Sequence, residues 1–464
     1  MLKLRGKQQE VLNLPYDGHN VVLGVAGSGK SVCATQRSAF LSKVTEEKVL
    51  LLSFNNSLVN YLDDISKGYL SNVSLRTYHS FATEYMRQNG LLHGNEILTK
   101  DWEKESLIKE AIECIKRRIG NNSTLERREF IIEEIKWMQR IGALERTNYE
   151  NIERLGRGNT RLLKENRKYI FDVYEEYIQL RAKKGYRYDW DDISYYFYMD
   201  ANERSFTGKY KHIIIDEGQD FSPAMIKSIV AYMKKNGSVL FFGDTAQQIY
   251  GNKISWKKSG LNIRKVYNLD ENYRNTIEIE YLANEIRNNM ALAEEEITNN
   301  TNSLSKGEIP SLISFNNEIE EFNFVAAKAK ELSNDGSIAV VFKKNNDVIE
   351  FTSKLDREKI PYTKVDRDTK NFANLKGIFV GTYYSTKGLE FDSVIIPYCT
   401  DSHLIDNGRA LALDSEQEVN SEVSKLLYVA VTRAKKRLLI TYTNEVVRVF
   451  PKNKNLYKSV KGGI

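Results

Sequence analysis

The chain has 464 residues, 41% hydrophobic and 28% charged, which is too long for one compact core and implies two to four domains. Its formal charge of +6 permits nucleic-acid binding without requiring it. No apolar run approaches the roughly 20 residues that cross a bilayer. The opening MLKLRGKQQEVL has no apolar signal core, and Cys33, Cys114 and Cys399 are spaced too widely for a disulfide framework or zinc cluster. The expectation is a cytoplasmic protein with no membrane partner.

Along the chain, short apolar runs alternate with helical stretches, the pattern of a parallel sheet covered by helices. Residues 20–25 (NVVLGV) read as a strand entering a glycine-rich turn. Gly24 to Ser31 then fits G-x-x-x-x-G-K-[ST] between that strand and a helical run. Backbone N–H groups around Gly27, Ser28 and Gly29, together with the helix N-terminus, can cradle phosphate oxygens. Lys30 would reach the β- and γ-phosphates, and Ser31 would hold Mg2+. Residues 48–54 and 238–244 are further buried strands. Residues 212–217 (HIIIDE) form another that delivers two carboxylates at its carboxyl end, where α/β sheets gather function. Asp216 suits the magnesium shell, and Glu217 can orient and deprotonate the attacking water. ATP and Mg2+ are the expected cofactors.

Residues 83–207 are rich in Lys, Arg, Glu and Tyr with helical apolar spacing. They are predicted to be a helical insertion in a first domain made of residues 1–82 and 208–262. Their basic surplus fits solvated helix faces or a nucleic-acid surface equally well. A second α/β unit is expected over 263–464, with strands at 312–315, 337–342, 377–384, 393–398 and 437–443 and an exposed loop at 299–307.

The segment DEGQD (216–220) resembles motif II of superfamily 1 helicases of the UvrD/Rep/PcrA branch, and the resemblance runs almost the whole chain. Residues 4–10 resemble the Q motif, with Gln8 preferred to Gln9 as the adenine reader. Residues 53–62 resemble motif Ia, 75–82 motif Ib, 243–251 motif III, 271–276 motif IV, 381–394 motif V and 426–438 motif VI. A single block such as NYR arises by chance; the ordered set does not. The resemblance implies an α/β fold of two RecA-like P-loop domains with parallel sheets, plus the helical insertion in the first. Arg274 and Arg433 would reach the γ-phosphate as arginine fingers, a role suited to the planar guanidinium fork. Gln247 would sense the same phosphate, Tyr273 would stack on adenine, Glu390 would touch the ribose, and Gly388 would allow close backbone approach. On the nucleic-acid side Phe54, its neighbour Asn55 and Tyr250 occupy the family's binding positions, where ring stacking grips single strands. Trp256 stands further from Tyr250 than the family pattern has it, and reads equally as a stacking or a core residue. Thr77, His79 and Thr382 would contact the phosphodiester backbone.

The interval from Arg274 to Gly381 is largely needed for the strands of the second domain, so the family's large accessory subdomain is expected to be missing or very small. Tyr384 replaces a usual His in motif V, and no nuclease constellation is evident. The activity implied is an ATP-dependent helicase or translocase moving 3′ to 5′ on single-stranded DNA, or on a duplex with a single-stranded tail. The alternatives are a DNA-stimulated ATPase acting as a nucleotide-gated clamp or signalling subunit, with a protein partner in a repair or phage-defence complex, and an RNA motor.

Overall fold

The computed structural model describes residues 4–66, 68–120, 122–154, 157, 162–204, 208–244, 256–290, 302–366, 369, 376–406, 408, 410 and 415–462. In chain order the first lobe runs α1 (Lys7–Leu12), β1 (His19–Gly24), α2 (Lys30–Val44), β2 (Val49–Ser53), α3 (Asn56–Ile65), β3 (Val73–Thr77) and α4 (Tyr78–Gln88). The insertion follows as β4 (Ile97–Leu98), α5 (Asp101–Ile119), α6 (Arg128–Ile141), α7 (Arg146–Asn151), α8 (Arg167–Lys183) and β5 (Tyr188–Asp189). The chain returns through α9 (Ile193–Glu203), β6 (His212–Ile215), α10 (Pro223–Tyr232), β7 (Ser238–Gly243) and β8 (Ile263–Leu269). The second lobe contains β9 (Glu271–Thr276), α11 (Ile277–Asn288), β10 (Asn302–Ser305), β11 (Ser311–Phe315), α12 (Glu318–Leu332), β12 (Ser337–Phe342), α13 (Asn345–Arg357) and β13 (Tyr362–Val365). It continues with β14 (Gly377–Thr382), β15 (Phe391–Ile396), α14 (Asp401–Leu404), α15 (Glu416–Val431), β16 (Ala434–Thr443) and β17 (Lys458–Lys461).

Each lobe is built on a parallel sheet, ordered β3-β2-β6-β7-β1-β8 in the first and β13-β14-β12-β15-β16-β11-β17 in the second. Strands buried on both faces need no polar alternation, which is why β2, β6, β7 and β12 are apolar runs buried at every position. Successive residues still point to opposite faces. Leu50, Leu52, Ile213, Ile215, Val239 and Phe241 meet α4, α9 and α10 on one side of the first sheet. Leu51, Ile214, Leu240 and Phe242 pack with α1 and α2 on the other. The second sheet repeats the arrangement, with α11 and α15 on one face and α12 and α13 on the other.

Three sequence boundaries need correction. Residues 263–269, expected to open the second domain, form β8 at the edge of the first sheet, paired in parallel with β1. Edge exposure leaves its Arg264, Lys265 and Val266 outside the core, so its composition hides its membership. The second lobe therefore begins after Leu269. The proposed loop at 299–307 contains β10, which pairs with β9. The insertion is shorter than 83–207. Its own core runs from Leu98 to Leu180, whereas Tyr85, Phe197 and Ala201 pack into the first sheet's core. At the joint, Arg181 and Lys104 are buried against carboxylates. Arg181 Nη1 donates to Asp189 at 2.8 Å and to Asp192 at 2.5 Å, and Lys104 Nζ lies 2.9 Å from Asp189 and 2.7 Å from Asp191.

Between β9 and β14 the described residues form helices and strands of the second lobe itself. No helix among the described residues is long and apolar enough to cross a membrane.

Candidate active site

The turn after β1 is shaped by backbone conformation before any ligand arrives. Gly27 (φ +79°) and Gly29 (φ +80°) adopt left-handed conformations that disfavour side chains. Gly29 is the N-cap of α2, so the positive end of that helix faces the turn. Ser28 is fully buried, and its hydroxyl donates to Val25 O at 2.9 Å. Lys30 folds back over the turn, donating to Gly24 O and Val25 O at 2.8 Å each, with Asp244 at 3.8 Å. Burial lowers its pKa, and Asp244 and Glu217 oppose that shift.

Asp216 follows β6 and is completely buried. Neither of its carboxylate oxygens has a well-aligned hydrogen-bond donor, although the Ser31 hydroxyl and the Glu217 backbone lie close by. Burial, and next the charge of Glu217, push it up to about 7, while Ser31 and Lys30 pull the other way. An orphaned carboxylate beside a serine hydroxyl is a set of hard oxygen donors suited to Mg2+, so these residues fit the ion. Glu217 sits at φ +50° and accepts from Gln219 Nε2 at 2.5 Å. Burial alone would raise its pKa, but Lys387, Lys30 and Arg433 outweigh it and keep Glu217 below the usual carboxylate range.

The second lobe closes the cleft. Tyr273 N donates to Gly27 O at 3.0 Å, which stitches β9 to the phosphate turn. Arg274, Arg433, Tyr273, Glu390 and Lys435 line one 430 Å³ cavity together with Gln8, Gly27, Gly29, Lys30, Ser31 and Glu217. Both proposed fingers thus share a cavity with the P-loop lysine. Arg433 is 1% exposed and donates to Val429 O at 2.9 Å and Leu389 O at 3.2 Å. Burial, then Arg274, lower it to about 10. Gln8 is buried, with Nε2 donating to Ser28 O at 2.9 Å. Gln9 instead donates to Leu4 O, so Gln8 is the glutamine at the cavity.

The predicted nucleic-acid residues divide. Phe54 sits edge-on to His79 at 5.7 Å and to Phe221 at 6.2 Å. The row continues to Trp190, 4.9 Å from His79. Burial brings His79 down to about 4, so it is neutral at physiological pH and offers a phosphate no charge. Thr77 is buried and caps α4, accepting from Ser80 N at 3.3 Å. In this structure its hydroxyl serves as a helix cap. Asn55 caps α3 through its oxygen and donates from Nδ2 to Tyr384 O at 3.3 Å and Lys387 O at 3.2 Å. It is an interlobe bridge in this structure. Thr382 closes a turn with Ser385. Trp256 packs edge-on against Phe241 at 4.4 Å, in line with its core alternative. Gln247 and Tyr250 lie outside the described residues.

Residues 4–268 match the family described as the UvrD/REP helicase N-terminal domain. Residues 267–374 and 367–445 match the UvrD-like helicase C-terminal domain. The chain belongs to the UvrD/Rep helicase family. Among relatives, the putative ATP-dependent DNA helicase YjcD of Bacillus subtilis is 24% identical over 391 residues, which is 77% of this chain and 48% of YjcD. DNA helicase II of Haemophilus influenzae is 25% identical over 400 residues, 77% of this chain and 51% of its own. A probable DNA helicase of Mycoplasma pneumoniae is 22% identical over 461 residues, 91% of this chain and 80% of its own. The chain spans about half the length of the first two.

Within this UvrD/Rep fold, the contacts that join the lobes went unread in the sequence. Lys387 of the motif V block donates to both oxygens of Asp220, at 2.8 and 2.6 Å, with both residues 3% exposed. Lys387 also lies 4.0 Å from Glu217. Gln219 connects Glu217 to the end of β7 by accepting from Asp244 N at 2.9 Å. Asp220 and Gln219 belong to the DEGQD block, and Lys387 to STKGLEF, so the block matches pointed to them without naming their partners.

Proposed function

We propose that the chain is an ATP-driven motor on single-stranded DNA, a helicase or translocase with 3′ to 5′ polarity. The observation that carries this reading is the shared cavity that Arg274 and Arg433 of the second lobe line together with the Lys30 turn of the first. Phosphoryl transfer is catalysed mainly by positioning and by neutralising charge on the γ-phosphate. Cations contributed by both lobes make that neutralisation depend on the lobes' apposition.

The chain's own residues divide the work. The phosphate turn and Lys30 bind the triphosphate. Arg274 and Arg433 oppose the charge on its terminal group. Glu217, held ionised by the surrounding cations, orients the attacking water and accepts its proton. Gln8 and Tyr273 receive the base, and Glu390 the ribose. Ser31 and Asp216 would hold Mg2+, which when bound supplies charge neutralisation to the phosphates. The ring row Phe54, His79 and Trp190 supports base stacking on the first lobe. The interlobe contacts of Asn55 and Lys387 link that surface to the hydrolytic carboxylates. The relatives' names, which include DNA helicases, support DNA as the nucleic acid.

ATP turnover with and without single-stranded DNA is the first test, with RNA of the same sequence as comparison. Lys30→Ala, Glu217→Gln and Arg433→Ala should each remove most turnover. Near-normal turnover in Glu217→Gln would refute its assignment as the base. Displacement of streptavidin from a biotinylated 5′ end tests translocation. DNA-stimulated turnover without displacement would assign the protein as a nucleotide-gated clamp.

A further inference from the structure

Glu390 stands between two cations at the rim of the nucleotide cavity. Its Oε2 accepts from Arg274 Nε at 2.7 Å, and its Oε1 lies 2.9 Å from Lys435 Nζ. The three residues come from separate segments: β9, the turn before β15, and the start of β16. All three line the cavity that contains the phosphate turn. Lys435 has no role in the reading above. Arg274 is also tethered by Nη1 to Thr432 O at 3.4 Å, so in this arrangement its guanidinium is turned to its own lobe.

This arrangement creates a competition. Each carboxylate oxygen can accept more than one hydrogen bond, but both already carry a cation, so a ribose hydroxyl reaching Glu390 shares its charge and lone pairs with Arg274 and Lys435. We propose that nucleotide binding exchanges this contact, the ribose hydroxyl taking over Oε2 as the γ-phosphate draws Arg274 away, and that Lys435 is the positioning residue that keeps Glu390 in place during the exchange. The inference rests on the reading that Glu390 meets the ribose. It adds that ribose recognition and finger release are one event. An ammonium is a compact point charge that one carboxylate oxygen can satisfy, whereas a guanidinium prefers a two-oxygen fork. Lys435 therefore also prevents Glu390 from gripping Arg274 with both oxygens. Without Lys435 the finger would be held more tightly, and the ribose would compete less well for it.

The test is steady-state hydrolysis by the full chain, saturated with single-stranded DNA, of ATP, 2′-deoxy-ATP and 3′-deoxy-ATP. For the unmodified protein, one of the deoxy nucleotides should lower kcat by about tenfold, since an interaction needed to assemble the reactive state appears in kcat as well as in KM. Lys435→Met should lower kcat with ATP by a similar factor, and Lys435→Arg, whose guanidinium can take both oxygens of Glu390, should restore little of it. In Glu390→Gln the finger is no longer parked, so the kcat values for the three nucleotides should converge. Equal kcat for all three nucleotides in the unmodified protein would overturn the exchange. Lys435→Met with unchanged kcat would overturn the role of Lys435. A Glu390→Gln variant that keeps the full KM preference for ATP over the deoxy nucleotides would show instead that Glu390 is not the ribose contact, a different failure with a different signature.

Discussion

Asp216→Asn should stabilise the nucleotide-free protein while abolishing its turnover. The carboxylate is completely buried, neither oxygen has a well-aligned hydrogen-bond donor, and burial and Glu217 push its pKa up to about 7 against the nearby Ser31 and Lys30. In an unfolded chain the group ionises near its ordinary value of about 3.9. A folded pKa above the unfolded one means that ionisation favours the unfolded state. The stability associated with the neutral acid is complete below about pH 4 and is lost as the pH rises through about 7. One pKa unit is worth about 1.4 kcal/mol, so the charge costs the folded protein on the order of a few kcal/mol at pH 8. Asparagine has nearly the same shape and no charge, so it removes that cost. Urea unfolding of both proteins between pH 4 and pH 8 is the assay. The two should be nearly equal at pH 4, and the variant should lead increasingly up to about pH 7 and level off above it. Adding Mg2+ and ADP at pH 8 should raise the unmodified protein's midpoint far more than the variant's, because the ion provides the partner the carboxylate lacks. A variant that is less stable at pH 8, or a difference that does not grow with pH, would refute the reading of Asp216 as an uncompensated metal ligand.

Three further outcomes follow from particular contacts. Gly27→Ala would put a methyl group against Asn272 and Arg274 at a φ of +79°, so the KM for ATP should rise at least about tenfold through strain at the phosphate turn. Lys387→Met leaves Asp220 buried without its counter-charge and should cost about 3 kcal/mol in thermal or urea unfolding. Combining it with Asp220→Asn should recover most of that loss, and strictly additive effects would show that the pair does not join the lobes. Phe54→Leu keeps an apolar side chain against Phe221 but removes the ring. It should weaken single-stranded DNA binding by about 1–3 kcal/mol in a fluorescence titration while DNA-independent hydrolysis stays nearly intact.

Much of this protein is written locally. The phosphate turn is legible because strand, glycines, lysine and helix are contiguous, and the left-handed angles at Gly27 and Gly29 need residues without a side chain. The buried strands are legible because burial on both faces requires unbroken apolar runs, and the two carboxylates after HIII follow from the end of such a run. The order of the motif blocks carried the family. β8 was misassigned because an edge strand is only partly buried and its composition resembles a connection. The cap at Thr77 went unread because a hydroxyl at a strand–helix junction reads alike as a ligand contact and as a cap.

The sequence by itself determined the chemistry present, namely the phosphate turn, the carboxylates, the two arginines and the aromatic residues of the first lobe. Only the tertiary structure decided which charges meet. Lys387 finds Asp220 across 167 positions and Arg274 finds Glu390 across 116. Periodicity reports which face of an element is buried, but an ion pair depends on the relative placement of two elements, which packing sets and local pattern does not encode.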